Sequence, residues 1–107
     1  METLRTLYDV ILSRKNESQE GSYTCYLFEA GLDKILKKVG EECTETIIAA
    51  KNGADAALVG EVSDLIYHLM VMLAQKDIPW REVEEEISRR AEKIGNLKTA
   101  RQTDRET

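Results

Sequence analysis

Proline, glycine and cysteine are scarce in this chain: one Pro, six Gly and two Cys in 107 residues. So few turn formers argue against an all-β protein, whose short strands need frequent turns. The thiols, Cys25 and Cys43, form no CxxC pair and offer no disulfide framework. Cys43 falls on the apolar side of a predicted helix and is expected there as a small buried hydrophobe. Positive charge is not in excess either. Fifteen basic against twenty acidic residues leave a net charge of −5, which argues against nucleic-acid binding driven by phosphate neutralisation. An acidic protein can still hold a polyphosphate if a metal supplies the positive charge. No signal peptide is expected before the first helix, and no apolar run approaches the ~20 residues of a membrane span. The expected setting is a reducing cytoplasm, with no membrane and no nucleic acid as partner.

What is present is helical periodicity. Hydrophobic residues make up 42% and charged residues 33% of the chain, a balance that suits a soluble helical domain. Leu4, Leu7, Tyr8, Ile11 and Leu12 recur at helical spacing over residues 2–14. Residues 15–26 lose the period and read as a loop. The period returns from about Leu27 to Lys51 through Leu32, Ile35, Leu36, Val39, Cys43, Ile47 and Ala50. Asn52-Gly53 reads as a helix stop and turn. Asp55 is placed to N-cap a third helix, which runs to about Lys76 with Leu58, Val62, Leu65, Leu69, Met72 and Leu73. Pro79 suits the start of a fourth, carrying Trp80, Val83, Ile87 and Ile94. The expectation is one all-α domain over residues 1–97, a four-helix bundle, followed by a polar tail over 98–107 that is expected to be disordered. The third helix is apolar almost all round, with Ile66, Met70 and Leu73 well away from the Leu58–Leu65–Met72 line. A helix apolar on every side needs partners on every side. The bundle is therefore expected to be completed by homo-oligomerisation, as a dimer or larger, with Ile66 and Met70 at the interface.

Four carboxylates stand as mirror images about Gly53. Glu42 and Glu45 lie 11 and 8 residues before it; Glu61 and Asp64 lie 8 and 11 after it. If Asn52-Gly53 turns a helical hairpin, Glu45 comes level with Glu61 and Glu42 with Asp64. Each pair has i,i+3 spacing and shares one helix face. At about 100° per residue with Val39 at zero, the apolar stripe of the second helix centres near about +20°. Glu42, Glu45 and Glu41 then lie near about −60°, −120° and −160°, with Lys38 and Lys34 among them. Glu61 and Asp64 flank the apolar side of the third helix. Acids and lysines at such spacings usually mean a solvated face with weak pairs. The equal heights and flanking positions favour a shared site.

Acids so gathered would repel one another, and a hard divalent cation removes that cost. An all-oxygen set favours magnesium or manganese over zinc. Such a site suits a phosphoric anhydride, with a spare carboxylate, Glu41 or Glu45, activating water and with Lys34 and Lys38 stabilising the leaving group. Gly21-Ser22-Tyr23-Thr24 offers hydroxyls and backbone N–H groups to a phosphate or ribose, or is an ordinary surface loop. His68, four residues after Asp64, is either a hydrogen-bonded structural histidine or the partner of a metal-bound carboxylate.

Glu41-Glu42-x-x-Glu45 followed by Glu61-x-x-Asp64 resembles the all-α nucleotide pyrophosphohydrolases related to MazG. Gly21-Ser22-Tyr23-Thr24, Leu27-Phe28, Gly31 to Ile35, Lys37 to Glu42, Ala49 to Gly53 and Asp64 to Leu69 narrow the resemblance to phosphoribosyl-ATP pyrophosphohydrolases of histidine biosynthesis. It spans about residues 4–92. It implies a magnesium-dependent hydrolysis of 1-(5-phosphoribosyl)-ATP, at its α–β anhydride, to 1-(5-phosphoribosyl)-AMP and pyrophosphate. It also implies Glu42, Glu45, Glu61 and Asp64 as metal ligands. The chain is too short to hold the cyclohydrolase domain fused to many relatives and resembles the stand-alone form. Small residues such as Ala would be expected at Cys25 and Cys43. Two other readings keep the fold but change the role: a general nucleoside triphosphate pyrophosphohydrolase, or a non-catalytic helical interaction module.

Overall fold

The computed structural model describes residues 2–95, and within them all regular structure is helical. Five helices follow in chain order: α1 (Glu2–Asn16), α2 (Tyr23–Ala30), α3 (Leu32–Asn52), α4 (Asp55–Gln75) and α5 (Trp80–Gly95). The tail over 98–107 lies outside the described residues.

The fifth helix arises because the stretch expected as one helix from Leu27 to Lys51 is broken at Gly31. That residue holds φ 97° and ψ 178°, a conformation open in practice only to glycine. It caps α2 by donating its N–H to the Leu27 carbonyl at 3.1 Å. The apolar period runs straight across the break, so spacing alone does not reveal it. α2 also starts inside the stretch read as loop. Ser22 is its N-cap, and its hydroxyl accepts from the Cys25 N–H at 3.1 Å.

α3 and α4 form the antiparallel hairpin expected from Asn52-Gly53 and share the most extensive helix contact of the fold. Gly53 donates its N–H to the Ala49 carbonyl at 2.8 Å. A Cβ at Gly53 would come within 2.9 Å of that same oxygen, so the turn is tight enough to need glycine. The N-cap of α4 is Ala54, not Asp55, with no side-chain cap; Asp55 sits in the first turn, where a negative charge meets the helix dipole. α1 packs against α4, and α2 against α1 and α3. Tyr8, Ile11, Leu27, Ile35, Met70, Val71 and Ala74 form the core. Lys15 closes the C-terminal end of α4, its ammonium 2.7 Å from the Ala74 carbonyl and 2.6 Å from Asp77 Oδ1. α5 buries none of its residues. It is held by Tyr8 and Trp80, whose rings lie 6.3 Å apart, and by Arg5, which pairs with Glu84 at 2.9 Å.

Three expectations about faces need correction. Cys43 is exposed and Cys25 is the buried thiol. The inward line of α3 is Ile35, Glu42 and Ala49, centred near about −60° on the scale used above and not near +20°. The helix is rotated so that Glu42 points in, while Leu36, Cys43 and Ile47 point out. Met70, expected at an interface, is wholly buried in the chain's own core. α4 turns His68, Met70, Val71 and Ala74 inward. Its most regular apolar line, Leu58, Val62, Leu65 and Leu69, stays partly uncovered. Finally, α4 is long and apolar enough to cross a membrane by length and composition, which the sequence reading had excluded. Glu61 and Asp64 lie in the middle of that helix, where a bilayer core would penalise both.

Candidate active site

The hairpin brings acids from both arms together. Glu42 and Glu45 on α3 and Glu61 on α4 each offer a carboxylate oxygen, and these oxygens all lie within 4.8 Å of one another. Asp64 is exposed and stands outside that trio, yet its charge reaches Glu42. Burial raises the pKa of Glu42 above the ordinary carboxylate value; a hydrogen bond and repulsion from Glu45, then repulsion from Asp64, raise it further, while Glu61 pulls the other way. Glu61 is raised in the same manner, first by desolvation and then by Glu45 and Glu42. One oxygen of Glu42 and one of Glu61 are buried without a hydrogen-bond partner. A buried carboxylate oxygen with no donor is costly. The donor set is all oxygen, so a hard divalent cation fits it and would satisfy both orphaned atoms.

Thr46 braces this arrangement, and the sequence reading missed it. Its hydroxyl reaches the Glu42 carbonyl at 2.7 Å and the Glu61 carbonyl at 3.4 Å, bridging the two helices at the level of the acids. Its position four residues after Glu42 was the available signal.

Of the other candidates, Lys38 and Glu41 pair beside the acids. Lys38 lies 3.7 Å from Glu41. Its pKa is raised chiefly by the neighbouring Tyr23; burial opposes this, and Glu41 and Glu42 add to the rise. Lys34 sits one turn earlier on α3, partly buried. Glu41 is exposed at the edge of the site. The buried His68 places Nδ1 2.8 Å from the Asp64 backbone carbonyl, so that nitrogen carries the hydrogen. Nε2 is then an acceptor, and Tyr23, 3.1 Å away, donates its O–H to it. His68 thus touches Asp64 through the main chain and not through its carboxylate. The Thr24 hydroxyl bonds the Tyr67 hydroxyl, a partner the sequence reading also missed. Each hydroxyl of Ser22-Tyr23-Thr24 therefore has a structural bond. Ser22 uses an oxygen lone pair in its cap, which leaves its own O–H to donate.

A chain helical throughout its described residues, whose hairpin gathers glutamates around two orphaned oxygens, defines a class: an all-α protein with an acidic site that could hold a cation. The particular family follows from comparison. Residues 4–91 match the profile of the family described as phosphoribosyl-ATP pyrophosphohydrolase, and the chain belongs to that family. It is similar to proteins named phosphoribosyl-ATP pyrophosphatase. That of Clostridium novyi (strain NT) is 48% identical over 101 residues, covering 94% of this chain and 92% of that protein. That of Pelotomaculum thermopropionicum is 56% identical over 90 residues, covering 84% and 92%. That of Listeria innocua serovar 6a is 56% identical over 91 residues, covering 85% and 87%.

Proposed function

We propose that this chain hydrolyses phosphoribosyl-ATP to phosphoribosyl-AMP and pyrophosphate, a step of histidine biosynthesis, in the cytoplasm and as a homo-oligomer. The observation that carries the reading is the glutamate trio on α3 and α4, with its two orphaned oxygens, in a chain that matches the pyrophosphohydrolase family along most of its length.

Glu42, Glu45 and Glu61, with Asp64 beside them, would hold magnesium, or manganese in its place. When bound, the cation neutralises phosphate oxygens and makes the anhydride easier to attack. The chain's own residues do the rest. Glu41, exposed at the rim, or Glu45, within the trio, accepts the proton of the attacking water. Lys38 and Lys34 approach from the same side of α3 and stabilise negative charge on the departing pyrophosphate. Tyr23, held by His68, and the free O–H of Ser22 orient the substrate. Thr24, tied to Tyr67, fixes the loop that carries them.

The oligomer is supported by apolar side chains left bare on the hairpin. Ile47, Ile48 and Val59 are 69%, 55% and 66% exposed. A second copy offering the same face in a two-fold arrangement would cover them.

The test is pyrophosphate release from phosphoribosyl-ATP with magnesium and with EDTA, beside ATP, dUTP and dCTP. Metal-dependent release from phosphoribosyl-ATP alone is expected. Release from the ordinary triphosphates instead would make the protein a general nucleotide pyrophosphohydrolase.

A further inference from the structure

Along α2 and the loop before it lies a cavity of about 690 Å³ lined in part by Gln19, Glu20, Tyr23, Tyr26 and Glu29. This is within the size range of small-molecule sites. Tyr23 and Tyr26 share one face of α2 at i,i+3 spacing. Their rings stack at 6.2 Å and 29°, and Tyr67 extends the array at 6.3 Å from Tyr23. Both α2 tyrosines are about half exposed, so flat aromatic surface borders the cavity. The link to the acids is Tyr23 itself, bonded to His68 and close enough to Lys38 to perturb it. Gly21, at φ 80° with open space around it, bends the loop so that Glu20 stands at the cavity edge.

We propose that this cavity receives the N1-substituted purine ring of the substrate, and that Tyr26 with Glu20 and Glu29 selects that ring over unsubstituted adenine. The proposal rests on phosphoribosyl-ATP being the substrate. A substituent on N1 turns the adenine edge into an amidine, a far stronger base than adenine, which takes up a proton to become a delocalised cation. A cation over a tyrosine face is attracted by the ring quadrupole, and a carboxylate beside it accepts a charge-assisted hydrogen bond. The neutral adenine of ATP gains neither. With the phosphates on the glutamate trio, the base passes Tyr23 and enters the cavity.

The experiment is steady-state hydrolysis of phosphoribosyl-ATP, with ATP as competing ligand, by the wild type and by Tyr26→Leu, Tyr26→Phe and Glu29→Gln, each checked by circular dichroism. Tyr26→Leu is expected to raise KM about tenfold, the loss typical of one aromatic face under a base, with kcat within about threefold. Tyr26→Phe restores KM. Glu29→Gln raises KM for phosphoribosyl-ATP and leaves the inhibition constant of ATP where it was. An active wild type whose KM is unmoved by Tyr26→Leu, or whose Glu29→Gln variant weakens ATP equally, overturns the ring subsite alone. A wild type inactive on phosphoribosyl-ATP overturns the substrate reading and the subsite with it.

Discussion

Glu42 and Glu61 are ionisable groups held where ionisation is unfavourable, and this gives the metal-free protein a pH dependence of definite sign. Both are raised above the usual 4.5, by burial first and by neighbouring acids next. The folded state therefore binds more protons than the unfolded one between 4.5 and the raised values. Stability falls as pH rises through that window and levels once both are ionised. Glu84 and Glu86 are lowered by their arginine partners. Their stabilisation is lost only below the ordinary carboxylate range, outside the window. Thermal melts in EDTA should thus give a Tm that falls as pH rises from 4.5 through that window, and magnesium should oppose the fall. At 100 times Kd, ligand binding adds about 2.7 kcal/mol. A metal-free Tm that climbs through that window would contradict the strain assigned to the cluster. By the same reasoning Glu61→Gln removes one repelling charge. It should leave helical circular dichroism intact, keep or raise the metal-free Tm, and reduce pyrophosphate release by about 10²-fold or more.

At the scale of the element, the break between α2 and α3 is the feature that hydrophobic periodicity could not show. Leu27, Phe28, Leu32 and Ile35 keep helical spacing across Gly31, because one residue in an unusual conformation scarcely disturbs the register of the side chains on either side. The break matters for the site. It frees α2 to turn Tyr23 toward His68 and Thr24 toward Tyr67. A side chain at Gly31 finds open space but an unfavourable φ of 97°. Gly31→Ala should therefore cost about 1–3 kcal/mol in urea unfolding and raise KM by shifting α2. A stability change near zero would mean the backbone relaxes there. The hairpin itself was legible: Asn52-Gly53 marked the turn, and the mirrored spacing of the acids put Glu42 and Glu45 opposite Glu61. The start of α2 was less so. Ser22 is an ordinary N-cap residue, but the polar run before it reads as loop throughout.

On the scale of the whole molecule, the single chain leaves its hairpin half dressed. The core of α4 lies on the His68–Met70–Val71–Ala74 side, whereas Leu36, Leu58, Val62, Leu65 and Leu69 stay partly open. Sedimentation should find the wild type as a dimer or larger. Ile47→Glu with Val62→Glu should weaken that association by about tenfold or more. Met70→Glu should behave differently, unfolding the protein, since it puts a charge into a wholly buried position. A wild type that sediments as a monomer would remove the oligomer from the proposal.

The residue pattern alone determined the helical class, the hairpin turn and the height at which acids from two helices meet, because these depend on spacing along a chain of fixed geometry. Only the tertiary structure decided how far each helix is rotated about its own axis. That rotation turned Glu42 inward and Cys43 outward, buried Met70, and set Thr46 across the acids. α4 carries apolar residues on nearly every side, so its sequence cannot rank one face above another. The choice is made by what α1, α2 and α3 pack against it.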